Sequence, residues 1–311
     1  MADEVSIAVL GALNYDLVAV APRFPEPGES VIGARFYTSP GGKGGNQAVA
    51  AARLGARTRM FGRVGDDSFG RELLGSITGY GVDTAGVAVH SGMSSGIAHI
   101  TVDSAGQNKI VIISGANGQC GEPELDRLAA ALPGCHALLL QMELPLPLSL
   151  RAAEMAHRFG VPVVFDPAPA GALPAAAYPL LDYIIPNETE AAALVGFPVR
   201  GPEDGLRAAR ELRRRGAKVG MVKLGALGAC YSAENEESYL SAFHVQVVDT
   251  VGAGDAFNGA FAVARAEGKG VREAVVWAMA AGAIAVTKPG AQPSMPTREE
   301  VEALIRTQAR G

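Results

Sequence analysis

Apolar positions along the chain follow two different periods. Residues 5–10, 137–141, 161–165, 183–186 and 218–224 are short, nearly unbroken apolar runs, the pattern of strands buried on both faces of a sheet. Between and around them, residues 68–80, 147–159, 202–215 and 273–286 carry helical patterns, a shorter Ala-rich helix is expected over 48–54 before Gly55, and an amphipathic stretch follows residue 294. Strands that alternate with helices predict an α/β domain around a mostly parallel sheet.

Two regions break the alternation. Residues 17–39 are short and strand-like, punctuated by Pro22, Pro25 and Pro27, with a second run at 31–37; residues 96–102 and 109–113 flank a turn at 103–107. Neither pair is interleaved with helices. They read together as a small separate sheet set against the main domain, in the manner of a lid.

Composition narrows the function classes. A chain of 311 residues with 48% hydrophobic content buries a large core, and a net charge of -5 leaves no broad basic surface for nucleic acid. The run Arg213, Arg214, Arg215 reads as a solvated helix face. Cys120, Cys135 and Cys230 are far apart, which argues against a disulfide framework and a structural zinc site and suits a reducing compartment. The start, Met1 to Glu4, is acidic, and the apolar stretch 274–286 is too short to span a bilayer, so a cytoplasmic protein is expected.

The chemistry concentrates in residues 249–259. Gly252, Ala253 and Gly254 lead into a helix that opens with Asp255, a layout in which backbone N–H groups and the helix start favour an anion beside a carboxylate that can act as a base. A plain tight turn is the alternative; a dinucleotide fingerprint fails because Phe257 fills the third small position. Just past the first strand, Asn14 and Asp16 have the spacing to bond adjacent sugar hydroxyls, and Asp16 reads equally as a turn residue. Residues 40–47 place four glycines around Lys43, allowing close approach to a small polar ligand or forming a hinge; the spacing is not that of a Walker loop.

Polar residues also follow the strands. Glu143, Asp166 and Asn187 each lie at or beyond a strand end, which is how an active-site crevice is lined, although each could cap a helix. Asn187 and Glu190 read either as a cap or as holders of hydrated magnesium, which needs few protein oxygens. The turn Gly225, Ala226, Leu227, Gly228 is placed to receive adenosine or phosphates with Lys223 adding charge, or is a hairpin into 229–232.

Residues 41–50 (GGKGGNQAVA), 186–191 (PNETEA), 248–260 (VDTVGAGDAFNGA) and 290–294 (GAQPS) together resemble the ribokinase-like carbohydrate kinase family, in order and over about 5–304. The resemblance implies a three-layer α/β/α fold, one domain over 1–311 with a β lid from about 17–39 and 96–113, and a homodimer formed through the lids. It implies phosphoryl transfer from ATP to O5 of ribose, giving ribose 5-phosphate and ADP. Deoxyribose, fructose or a nucleoside such as adenosine are alternative acceptors, and a non-catalytic sugar-binding regulator is the alternative role. By the same resemblance Asn14, Asp16, Gly42, Lys43, Asn46 and Glu143 would hold the sugar, Asp255 would be the base, and residues Gly252 to Asp255 would frame the anion hole, the backbone N–H groups of Ala253, Gly254 and Asp255 stabilising the transferred phosphoryl group. Asn187, Lys223, Gly225, Ala226, Leu227, Gly228, Gly254 and Met279 would meet the nucleotide, with magnesium held through water by Asn187 and Glu190. Potassium would lie against Asp249, Val251, Ala285, Lys288, Gly290 and Ser294, several of them through backbone carbonyls. The chain departs from the family at Met279, where histidine is frequent, and at Lys223, where threonine is frequent.

Overall fold

The structure, a computed structural model, describes residues 4–308; Met1 to Asp3 of the acidic start, and the two ends of the 1–311 domain, lie outside the described residues. In chain order the strands are β1 (Ser6–Leu10), β2 (Asn14–Val20), β3 (Arg35–Gly41), β4 (Arg57–Gly65), β5 (Asp83–His90), β6 (Gly96–Val102), β7 (Asn108–Ile113), β8 (Ala137–Gln141), β9 (Val163–Asp166), β10 (Tyr183–Ile184), β11 (Val219–Lys223), β12 (Gly228–Ser232) and β13 (Glu237–Ser241). The helices are α1 (Lys43–Arg53), α2 (Ser68–Gly79), α3 (Glu122–Ala131), α4 (Leu146–Arg158), α5 (Glu188–Val195), α6 (Pro202–Arg214), α7 (Ala253–Ala266), α8 (Val271–Ala285) and α9 (Arg298–Gln308).

β1 shows why the fold has three layers. Every residue of it is buried, and successive side chains face opposite ways: Ile7 and Val9 join a core with α1, α2, α7, α8 and α9, while Ala8 and Leu10 join a second core with α3, α4, α5 and α6. The sheet between them has nine strands in the order β13-β12-β11-β10-β9-β8-β1-β4-β5, parallel except where β12 pairs with β11 and β13. A second sheet, β3-β2-β6-β7, stands apart from it. The expected three-layer α/β/α fold with a small lid sheet is thus present. Among the described residues, no helix is long and apolar enough to cross a membrane.

Several boundaries differ from the sequence reading, each for a physical reason. α1 begins at Lys43, five residues earlier than expected, because Gly44 packs so tightly on the turn just past β1 that a Cβ there would stand 2.6 Å from the Gly11 carbonyl carbon. Glycine's poor helix propensity is outweighed by that close approach. Asn14 and Asp16 lie on lid strand β2 rather than in a loop, paired with Gly41 and Ser39 of β3, which itself starts at Arg35. β4, β5 and α3 were not expected at all. In β4 the charges of Arg57, Arg59 and Arg63 mask the strand pattern; Arg63 turns inward to grip fully buried Glu124 of α3 with bonds of 2.8–3.1 Å. Arg127 and the Gly121 N–H complete that carboxylate's partners; a buried carboxylate stripped of its cation loses about 3–5 kcal/mol.

Candidate active site

Parallel strands deliver their C-terminal ends to one edge of the sheet, and the starts of α1 and α7 meet them there. Residues after β1, Glu143 after β8, Asp166 at the end of β9, Asn187 after β10 and Lys223 at the end of β11 therefore converge. Gly42, at φ +86°, turns the chain from the lid into α1 where a Cβ would stand 2.5 Å from the Asn14 amide nitrogen. Gly252, at φ +77°, does the same for α7.

Asp255, in the first turn of α7, is 6% exposed. Its Oδ2 accepts from Asn46 Nδ2 at 2.9 Å and its Oδ1 from Gln47 Nε2 at 3.1 Å. Burial raises its proton affinity; the Lys43 ammonium opposes that, the Asp166 carboxylate adds to it, and the two amide bonds oppose it. Of the three backbone amides expected in the anion hole, that of Ala253 donates to Thr250 O at 3.3 Å, closing the turn before the helix.

The expected sugar ligands form a tight electrostatic group around Lys43. Burial pushes Asp16 up to about 7, the charge of Asp255 adds to this, and Lys43 opposes it. Glu143 is likewise pushed to about 7, first by burial, against Lys43 and a 2.8 Å bond from the Lys43 backbone N–H. Burial alone would lower Lys43, but Asp255, Asp166, Glu143 and Glu190 outweigh it and hold the ammonium above its usual range. Asn14 is 3% exposed, and its Oδ1 accepts from Asn117 Nδ2 at 2.9 Å. Asn46 Oδ1 is buried with no partner, an acceptor suited to a donated hydroxyl.

A cavity of about 790 Å³ opens beside this group, with Lys43, Asp166 and Asp255 among the residues that line it. Lys223, Gly225, Ala226, Gly228, Gly254 and Met279 line it as expected of nucleotide ligands, while Leu227 does not. The hairpin read as an alternative at 225–232 is also there, since β11 and β12 are antiparallel. Phe243 and Val245, which the sequence reading passed over, supply further apolar wall; they follow a short edge strand, and no local pattern marks them. Gln47 and Gln141 were also missed, although Gln47 lies inside the glycine-rich motif and Gln141 is the one polar residue ending the apolar run of β8.

Asn187 and Glu190 form a capping box: Asn187 Oδ1 accepts from the Glu190 N–H at 2.9 Å, while Glu190 takes the Asn187 N–H at 2.8 Å and Nδ2 at 2.9 Å. Both also line the cavity. Burial and the Asp166 charge raise Glu190's proton affinity, so the carboxylates Asp166, Glu190 and Asp255 outnumber the ammonium groups of Lys43 and Lys223 here, a setting that fits a hydrated divalent cation. Among the described residues no group of three His, Cys, Asp or Glu side chains forms a direct metal cage.

The expected potassium ligands come from two segments stitched together. Asp249 accepts from Val251 N at 3.0 Å and Gly290 N at 2.9 Å, and Val248 N donates to Val286 O at 2.7 Å. Ser294 Oγ donates to Ala291 O at 2.7 Å, Ala285 O accepts from Lys288 N at 3.1 Å, and the Lys288 ammonium is taken by Glu300 at 2.6 Å. Carbonyl oxygens on two such adjoining segments suit a monovalent cation, which coordinates oxygen.

Residues 5–298 match the model of the pfkB family carbohydrate kinases. A ribokinase of Haemophilus influenzae is 40% identical, covering 95% of this chain and 96% of that protein. A deoxyribokinase of Salmonella typhi is 37% identical, covering 94% and 96%. The structure of Arabidopsis thaliana ribokinase complexed with ribose and ATP superposes with a TM-score of 0.89 at 33% identity, covering 97% of this chain and 99% of that one. With a three-layer fold, a buried carboxylate at the start of α7 and a family match over most of its length, the chain belongs to the pfkB family of carbohydrate kinases.

Proposed function

We propose that this sugar kinase transfers the γ-phosphoryl group of ATP to O5 of ribose. The observation that carries the reading is Asp255: a buried carboxylate that lines the cavity and is electrostatically coupled to Asp16, Lys43 and Glu143. In this reading the ribose 5-hydroxyl gives its proton to Asp255 and its oxygen forms a bond to the γ-phosphorus. The bond from that phosphorus to the bridging oxygen breaks, and its electron pair leaves with ADP. Lys43, Lys223 and the N–H groups at the start of α7, chiefly those of Gly254 and Asp255, offset charge on the transferred group. When bound, magnesium neutralises phosphate oxygens; Asn187 and Glu190 would hold its water shell. Potassium would be held by the 249–251 and 285–294 segments.

The lid reading has its own support. Phe36, Ile110, Val111, Ile112 and Ile113 of the small sheet are 46–66% exposed, an apolar surface suited to meeting the same sheet of a second copy. Three unpaired cysteines and the lack of a long apolar helix among the described residues are compatible with a cytoplasmic enzyme.

Ribose is favoured over 2-deoxyribose because Asn14 and Asp16, two residues apart and so on one face of β2, are spaced for two adjacent hydroxyls. A coupled assay of ADP release with magnesium, with and without potassium, across ribose, 2-deoxyribose, fructose and adenosine tests this. Ribose should lead 2-deoxyribose by about 10-fold to 100-fold in kcat/KM, the value of one hydrogen bond to a charged group. Equal turnover of the two sugars contradicts it.

Sugar affinity should also depend on pH. Asp16 and Glu143, both held at about 7, are ionised above neutrality and protonated below it, and ionised carboxylates accept hydroxyl bonds more strongly. Between pH 8 and pH 6 the ribose Kd should rise by up to about 10-fold per carboxylate. Calorimetry that gives a flat Kd over this range contradicts the assignment.

A further inference from the structure

One side chain at the centre of the site bridges the base and a second buried carboxylate. Gln47, in the second turn of α1, is 1% exposed. Its Nε2 donates to Asp166 Oδ2 at 2.9 Å and to Asp255 Oδ1 at 3.1 Å, so both amide hydrogens are engaged by carboxylates. Its Oε1 accepts from Nε2 of Gln141, also 1% exposed, at 2.8 Å, which fixes the sense of the amide. The chain of contacts continues outward on both sides. Lys223 Nζ sits 3.1 Å from Asp166 Oδ1 and 3.4 Å from where a Cβ on Gly254 would stand, at the start of α7; Asn46 holds the other oxygen of Asp255. A single buried run thus leads from an ammonium on the phosphate side, through Asp166 and Gln47, to the base on the sugar side.

Two buried carboxylates this near one another, left without a donor between them, would swing together to share one proton, and the base would lose both its free lone pair and its orientation. A primary amide is suited to prevent this, because it gives each carboxylate a hydrogen of its own. A hydroxyl has one hydrogen to give, and a carboxylate none.

We propose that Gln47 is a positioning residue for phosphoryl transfer: locked by Gln141, it holds the carboxylate plane of Asp255 and separates the base from the Asp166–Lys223 pair. The inference rests on reading Asp255 as the base of a sugar kinase. Displacing a reacting group by about 1 Å costs on the order of 10²-fold in rate, so the effect should fall on kcat and spare sugar binding, since the Gln47 amide already spends its hydrogens on Asp166 and Asp255 and its carbonyl on Gln141.

The test compares the parent chain with Gln47→Met, which keeps the volume and removes both donors, and with Gln141→Met, which frees the amide but leaves it in place. Steady-state kinetics with ribose and ATP, ribose calorimetry and thermal melting are measured on each full-length protein. Gln47→Met should lose about 10²-fold in kcat with ribose Kd within about 3-fold of the parent, and Gln141→Met should lose about 10-fold. A folded Gln47→Met with kcat within 3-fold of the parent overturns the proposal, as does a loss that falls on ribose Kd while kcat holds. If Gln47→Met does not fold, Gln141→Met decides, and an unchanged kcat there overturns the proposal equally. A parent chain that turns over no sugar defeats the kinase reading itself, before either variant is made.

Discussion

Asp255→Asn should lower kcat by about 10³-fold or more while the ribose Kd stays within a few-fold. The substitution preserves shape but removes the only lone pairs able to take the hydroxyl proton at the start of α7, and general-base contributions run at about 10² to 10⁴. An asparagine also brings its own N–H₂ toward the donors of Asn46 and Gln47, which now face Asp255 at 2.9 and 3.1 Å, so the amide that replaces the base is held less firmly. Steady-state kinetics paired with ribose calorimetry separates rate from binding. A variant that turns over ribose near the parent rate removes Asp255 from the role of base.

Lys43→Met should be the second most damaging change, with kcat down by about 10²-fold and the acid limb of the pH profile of kcat/KM displaced upward. Lys43 is the cation that opposes the raised proton affinity of Asp16, Glu143 and Asp255 alike. Without it, burial and mutual repulsion act unopposed, all three carboxylates hold their protons to higher pH, and the base is protonated where the parent is active. The sign is therefore definite: the variant regains activity as pH rises. An acid limb at the same pH as the parent's contradicts the placement of Lys43 at the centre of the group.

Much of the fold was legible because buried parallel strands write themselves as unbroken apolar runs. β1, β8, β9 and β11 were recognisable within a residue or two for that reason. The hidden elements are those whose polar residues find partners far away in sequence. β4 looks like a charged loop until Arg63 is seen to face Glu124, 61 residues later, and the start of α1 looks like a flexible loop until its glycines are seen pressed on the turn just past β1.

The site shows the same division. Motif residues announced Lys43, Asn187 and Asp255, and a charge at the end of an apolar run announced Lys223; all four line the cavity. Gln47 and Gln141 carry no such mark, because what they do depends on four carboxamide and carboxylate groups meeting from α1, β8, β9 and α7. The walls formed by Phe243 and Val245 are similarly products of tertiary placement. Asp166 was visible as a polar strand end, yet its link to both Lys223 and Gln47 was not.

The most direct test is a single incubation of the full-length chain with ribose, ATP, magnesium and potassium, followed by phosphorus NMR of the products. Phosphoryl transfer to O5 predicts ribose 5-phosphate and ADP in equal amounts, both abolished by omitting either substrate. Ribose that binds by calorimetry yet yields no phosphate ester, or an ester formed at another oxygen, would contradict it.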